Sequence, residues 1–324
     1  MASPNASFGE IASTTYKAYK PKFSDNVTNN NALLRQMNKK DRKRFEPGGE
    51  SIVCPLDYAE NSTYTRYSGY GNLNVQASET LSAAEYSWKQ ASVVITCSGL
   101  EWRKNQGSKT RIINLVKARM KNAMNSMANN FTSDMYSDGT ASNQINGLQA
   151  LIADAGTGTV GGINSSTYSF WQNTVQSAAS PLQGGGAITP SATTIESLML
   201  PLYLELVRGQ DKPDLIMSSN DYFTFFEQSQ TGIKRYTDVD KADAGFVTMD
   251  YKGTPVVFDG GSGISSAHMY FINTDYLELV VHPDADMTEF DELRTGNQDA
   301  WAVPILFMGN LTCSNRALQG VLKA

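Results

Sequence analysis

The stretch YAENSTYTRYSGYGNLN, residues 58–74, carries Tyr58, Tyr64, Tyr67 and Tyr70 among small polar residues, with Arg66 and two glycines. It holds too little aliphatic side chain to build a core of its own. Tyrosine offers a large apolar ring with a polar tip, so a segment this rich in it either stays in solvent or lies on a second surface. The flanks decide between these. SIVCPL at 51–56 and WKQASVVITCSGL at 88–100 are strand-like, and Pro47-Gly48-Gly49 punctuates the chain before the first. The spacing predicts a long hairpin between those two strands, and an isolated two-stranded ribbon is marginal in water. Such a hairpin needs a neighbour.

Upstream, residues 1–24 are polar with scattered tyrosines. SDNVTNNNALLRQMNKKDRKRF follows, with Asp25 as a helix cap and Val27, Leu33, Leu34 and Met37 on one stripe. This reads as an arm ending in a basic helix. Downstream, SKTRIINLVKARMKNAMNSMANNFTSDMYS predicts a helix over 108–137, capped by Ser108 and free of proline and glycine. Ile112, Ile113, Val116, Met120, Met124, Met127, Phe131 and Met135 recur at three- and four-residue steps and mark a buried stripe. At 1.5 Å per residue the helix is about 45 Å long, a spine rather than an ordinary domain helix. Its first half is basic through Lys109, Arg111, Lys117, Arg119 and Lys121, which fits either a solvated face or an electrostatic contact with a partner.

After Asp138-Gly139 the chain turns small and glycine-rich, with NGLQALIADAGTGTVGGINSS and PLQGGGAITPS as loops. A helix over about 193–208, interrupted by Pro201, precedes KPDLIMSSNDYFTFFEQSQ, where 214–217 reads as a buried strand and Asn220 as a helix cap. That order places this half in a mixed α/β layer. GTPVVFDGG, HMYFINTDYLELVV and AWAVPILFMGNLTCSNRALQGVL read as strands. HPDADMTEFDELRTGNQD, with Asp284, Asp286, Glu289, Asp291 and Glu292, reads as an acidic hairpin tip.

Hydrophobic residues at 40% and charged ones at 18% over 324 residues describe a globular chain with a substantial core. A net charge of -5 argues against a protein whose main task is gripping phosphate. Cys54, Cys97 and Cys313 are odd in number and widely spaced, so buried thiols in a reducing compartment are expected. The N-terminus lacks an apolar leader core and no segment approaches a membrane span, so the expected site of synthesis is cytoplasm.

Signals for chemistry are weak. Gly156-Thr157-Gly158-Thr159-Val160-Gly161 satisfies GxGxxG formally, but no good helix start follows, and no acid lies between Asp154 and Glu196 to meet a ribose. His268 and His282 are the only histidines, and neither has a second ligand type at metal spacing in the sequence, Asp284 and Asp286 near His282 notwithstanding. The acidic run also lacks the glycine and spacing of a calcium loop. No GxSxG elbow is present. The expectation is a non-enzyme with no cofactor, no metal and no catalytic residues.

Arm, tyrosine-rich hairpin, spine helix and glycine-looped α/β half together resemble the major capsid proteins of tailed bacteriophages, the Hong Kong 97-type capsid family. NGLQALI just after the spine helix is similar to the start of the family's axial domain. KPDLIMSSNDYFTFFEQ is similar to its strand-cap-helix, and GTPVVFDGGSGISSAHMYFINTDYLELVV to its late strand pair. The resemblance implies an α+β, Hong Kong 97-like capsid fold. It divides the chain into an N-terminal arm and short helix at 1–46 and an E-loop hairpin at 47–87. A peripheral domain with the spine helix would take 88–140 and 276–310, and an axial domain 141–275 and 311–324.

The resemblance also implies self-assembly as pentamers and hexamers into an icosahedral head around double-stranded DNA, held without sequence-specific binding and without a membrane. Tyr58, Tyr64, Arg66, Tyr67 and Tyr70 would then cross an adjacent subunit, and Lys117 and Arg119 would meet Asp284 and Asp286 of a neighbour. A separate scaffolding protein, a portal and decoration or minor capsid proteins are the expected partners. The virion is the expected location, with synthesis in the host bacterial cytoplasm. An encapsulin-like compartment is the alternative with the same fold. Some family members crosslink an E-loop lysine to an asparagine. Here no lysine lies between Lys43 and Lys89, and beyond Glu292 Asp299 is the lone acid beside Asn297, so a shell without crosslinks is expected.

Overall fold

The computed structural model describes residues 31–101, 109–230, 248–259, 263–289, 293–294 and 299–324, with side chains at all of these except 109–117, 248, 289, 293 and 294. The expected caps Asp25 and Ser108, the arm over 1–30, Asp291, Glu292 and Asn297 lie outside the described residues.

Helix α1 (Ala32–Lys39) starts from Asn31, whose side-chain oxygen accepts from the Leu34 amide at 3.0 Å, and it buries Leu33, Leu34 and Met37 as the stripe predicts. A short strand β1 (Lys43–Phe45) follows. Then comes the hairpin, β2 (Ile52–Asp57) antiparallel to β3 (Leu81–Tyr86), with Ile52 opposite Tyr86 and Asp57 opposite Leu81. The return strand is therefore LSAAEY, not the 88–100 segment. That segment forms β4 (Lys89–Ser98), which is longer than β2 and needs a longer partner. It finds one in the 14-residue strand β15 (Ala300–Cys313), pairing from Lys89 opposite Gly309 to Ser98 opposite Ala300.

The spine, α2 (Lys109–Asp134), buries Met120, Ala123, Met124, Met127, Ala128 and Phe131 among its described side chains. The chain then folds back tightly, the Leu148 amide donating to the Met135 carbonyl at 2.8 Å. A Cβ at Gly147 would collide with the Ser137 backbone. After the single turn α3 (Leu148–Leu151) the GxGxxG segment leads into a two-stranded ribbon, β5 (Thr159–Val160) with β6 (Ile163–Asn164), and no helix starts there.

Next are β7 (Thr174–Ser177), α4 (Ile195–Glu205), β8 (Leu215–Ser218) and α5 (Asn220–Ser229). Pro201 sits inside α4 and supplies no N–H to the Ser197 carbonyl, which accepts instead from Gln183 Nε2 at 3.4 Å. Ser219, not Asn220, occupies the N-cap of α5, so the helix starts one position earlier than the sequence reading. Beyond α5 the described strands are β9 (Thr248–Tyr251), β10 (Thr254–Phe258), β11 (His268–Ile272), β12 (Leu277–Val281), β13 (Thr288–Glu289), β14 (Leu293–Arg294), β15 (Ala300–Cys313) and β16 (Gly320–Lys323). The acidic run is a short helical turn at Pro283–Ala285 followed by β13 and β14, both antiparallel to β15.

Two six-stranded sheets organise these elements. In one, β15 is flanked by β4 on one side and by β12, β13 and β14 on the other, with β1 parallel to β12. The second runs β7-β16-β11-β8-β10-β9. Its residues alternate between two cores. Leu215, Met217, Tyr270, Ile272 and Val321 face the core shared with α2, while Ile216, Val256, Met269, Phe271 and Leu322 face α4 and α5. A sheet covered on both faces explains why LIMS is apolar without alternation.

Candidate functional site

The root of the hairpin is fixed by its own chain. Ile52, Cys54 and Leu56 from β2 and Ala84 and Tyr86 from β3 point into the core, each strand sending alternate residues inward. The Tyr86 hydroxyl donates to the Cys313 carbonyl at 2.9 Å, and the Glu85 amide donates to the Gly161 carbonyl at 2.9 Å. Gly161 has φ +59°, and a Cβ there would lie 2.8 Å from that of Ala84, so only glycine lets the ribbon close on β3. Tyr58 packs on Phe170, ring centroids 5.4 Å apart.

Behind the root lies a buried cation. Arg316 is 0% exposed, and its guanidinium donates to the Leu151 carbonyl at 2.7 Å, the Trp171 carbonyl at 2.9 Å and Asn173 Oδ1 at 2.8 Å. Burial pulls its pKa below the ordinary arginine value. Burial likewise raises the three cysteine thiols, Cys313 to about 12, and all three are free. The buried thiols match the sequence reading.

Beyond Tyr58 the character changes. Tyr64 is 79% exposed, Tyr67 64% and Tyr70 107%, and Arg66 is exposed as well. Leu73, Val75 and Leu81 extend the apolar surface. Hydrogen bonds at this tip, such as Ser62 to Ser78 and Thr63 to Asn61, are local and exposed. Sequence reading found the tyrosines but missed Leu73, Val75 and Leu81, whose signal was apolar residues inside an otherwise polar loop.

The remaining candidates separate. Arg119 pairs with Glu101 at 2.6 Å and donates to the Thr96 carbonyl, and that pairing holds the Glu101 carboxyl below its ordinary range. Asp286 takes Lys43 Nζ at 2.8 Å. Asp284 is exposed, its amide donating to His282 Nδ1 at 3.2 Å. Lys117 lies in α2 with its side chain outside the described residues. Arg119 and Asp286 are thus engaged within the subunit, and the tyrosine tip is what the fold leaves uncovered.

No family model matches the chain, and no curated protein matches it. Solved structures do. A chain of the cyanophage A-1(L) capsid asymmetric unit is 18% identical, with 87% of this chain and 90% of that one covered and a TM-score of 0.67. A chain of the satellite phage P4 procapsid, which includes the size determination (Sid) protein, is 11% identical over 94% of this chain and 90% of that one, TM-score 0.52. A chain of the capsid of Myoviridae phage XM1 is 10% identical over 89% and 91%, TM-score 0.52. Hairpin, spine helix and two-sided sheet together give this chain the α+β, Hong Kong 97-like fold of tailed-phage capsid structures.

Proposed function

We propose that this chain is a major capsid protein, the subunit that self-assembles as pentamers and hexamers into an icosahedral head enclosing phage double-stranded DNA. The observation that carries the reading is the hairpin: anchored at its root by Tyr86 and the buried face of β2, yet presenting Tyr64, Tyr67 and Tyr70 to solvent. An apolar aromatic row of this kind calls for a covering surface, and a second copy of the chain supplies one at every contact of a closed shell. Each aromatic pair adds only about 0.5–1.5 kcal/mol beyond burial, but a shell repeats it many times.

On this reading residues 47–87 are the E-loop, 88–140 and 276–310 a peripheral domain, and 141–275 with 311–324 an axial domain, the arm being 1–46. Contacts between subunits fall to Tyr64, Arg66, Tyr67 and Tyr70, with Lys117 and the exposed Asp284 as further charged candidates. The protein would be made in the host bacterial cytoplasm and end in the virion, with a scaffolding protein, a portal and decoration or minor capsid proteins as partners. The capsid structures that share the fold favour this over an encapsulin-like compartment, which would hold an enzyme cargo rather than a genome.

Electron microscopy of the purified protein, alone and with the products of neighbouring genes, tests the proposal. Closed shells or capsomer rings are expected. A monomer under all these conditions overturns it. Denaturing gels of the particles should show monomer bands, since the lysine of the family's crosslink is missing.

A further inference from the structure

Three buried polar atoms without a hydrogen-bond partner in the protein come from residues that meet where the segment after α3 reaches the start of β11. They are Asp154 Oδ1, His268 Nε2 and the Tyr270 hydroxyl. His268 Nδ1 lies 2.7 Å from the Ser266 carbonyl oxygen, and because a carbonyl only accepts, that nitrogen carries a proton. In the neutral ring the lone pair is then on Nε2. Nε2 lies 3.1 Å from Asp154 Oδ2, yet off the direction a hydrogen bond requires. Two donor atoms this close without being aimed at each other could both face one ion at metal–ligand bond lengths of about 2.0–2.2 Å.

The surroundings fit. Gln149 Nε2 donates to Asp154 Oδ2 at 3.1 Å, and Ser265 Oγ donates to Gln149 Oε1 at 3.3 Å, so the carboxylate is held from behind. Tyr270 is 1% exposed and its ring stacks on His268 with centroids 6.1 Å apart. Its buried hydroxyl has no hydrogen-bond partner in the protein and is a donor suited to a water on the ion. His268 and Asp154 retain 14% and 29% side-chain exposure, so the buried donor atoms lie close beneath the surface. Lys323 stands opposite His268 on β16, so binding would draw on ligand bonds rather than on excess negative charge.

We propose that His268 Nε2 and Asp154 ligate a divalent transition-metal ion of the zinc class, with water in the remaining positions and Tyr270 donating to one such water. An imidazole and a carboxylate form a donor set for that class. Among the described residues no three His, Cys, Asp or Glu side chains gather, so this is an exchangeable ion on two protein ligands, not a closed four-ligand site. Its effect is to clip the segment leaving α3 to the sheet of β11. The sequence reading expected no metal because Asp154 and His268 become neighbours only in the fold.

Full-length protein stripped with chelator and dialysed against zinc at neutral pH is expected to take up one ion per chain, measured by elemental analysis. His268→Asn and Asp154→Asn should abolish uptake. Tyr270→Phe, which keeps the ring, should weaken it about tenfold. His282→Asn removes the other histidine and should leave it unchanged. Thermal melts in chelator report which variants fold, and if His268→Asn does not, Asp154→Asn and Tyr270→Phe decide. No uptake by the native chain, as when the ring nitrogen holds only a proton, overturns the proposal. So does uptake that survives loss of His268 or Asp154.

Discussion

Lys43 sets its ammonium 2.8 Å from both carboxylate oxygens of Asp286, tying β1 to the turn that follows β12. Each side chain keeps about a quarter of its exposure, so the pair is partly screened. A double-mutant cycle with Lys43→Met and Asp286→Asn, read by urea unfolding of the subunit, should give a coupling of about 1 kcal/mol or less. Charge reversal at Asp286 alone should cost more than its neutralisation, and the swapped pair Lys43→Asp with Asp286→Lys should recover most of it.

Root and tip of the hairpin should respond differently. Tyr67→Ala and Tyr70→Ala remove exposed rings and should change subunit stability by no more than about 0.5 kcal/mol while impairing shell formation. Tyr86→Phe removes the hydroxyl that serves the Cys313 carbonyl and should cost about 1–3 kcal/mol in the isolated subunit. Unfolding curves and particle yield, measured on the same preparations, separate the two effects. Equal loss of subunit stability at Tyr70 and Tyr86 would count against a tip that waits for a partner.

The spine was readable because helical periodicity is local: methionines at three- and four-residue steps needed no knowledge of what they pack against. The sheet of β8 and β11 was readable for the same reason, as short apolar runs between turn signals. The return strand of the hairpin was not. LSAAEY is no more strand-like than WKQASVV, and the choice between them depends on β15, which lies some two hundred residues further along the chain. The pairings of Arg119 with Glu101 and of Asp286 with Lys43 were not legible for similar reasons: a charge in the sequence does not show the side chain that pairs with it in the fold. The tyrosine tip was legible because its lack of aliphatic neighbours is itself a sequence property.

Acid should weaken the junction between α1 and the two sheets. Burial alone would raise the Asp275 carboxyl, but hydrogen bonds from Arg42 at 2.7 Å and Lys40 at 3.1 Å outweigh it and hold the pKa below 3.8. A folded-state value below the unfolded one, about 3.9, gives stability that is present above that pH and lost as pH falls through the folded value. Lys40 works in the opposite sense. Burial lowers its pKa, Asp214 and Asp275 raise it further, and the net value is above 10.5, so its contribution is lost only as pH rises through that higher value. Unfolding of native protein and Asp275→Asn across pH should show curves that run parallel at neutral pH and converge below about pH 4.

Arg316 is the residue whose loss should cost the subunit most. Its three donors serve the Leu151 carbonyl from one stretch of the chain and the Trp171 carbonyl and Asn173 side chain from another. Arg316→Met keeps the volume but strands the buried Leu151 and Trp171 carbonyls, while Asn173 Oδ1 keeps the Ala153 amide at 3.1 Å, and unsatisfied buried polar groups cost about 1–3 kcal/mol each. Arg316→Lys should rescue little, because a single ammonium cannot span acceptors placed for a planar fork. Urea unfolding should therefore rank native far above both variants, with a total loss of about 3 kcal/mol or more. The hairpin root should loosen with it, since the Tyr86 hydroxyl donates to the Cys313 carbonyl, three residues before Arg316 in the chain. Hydrogen exchange at the Glu85 amide, which bonds Gly161 in the native chain, reads that loosening directly. Protection there that is unchanged in Arg316→Met would mean the root stands without the arginine.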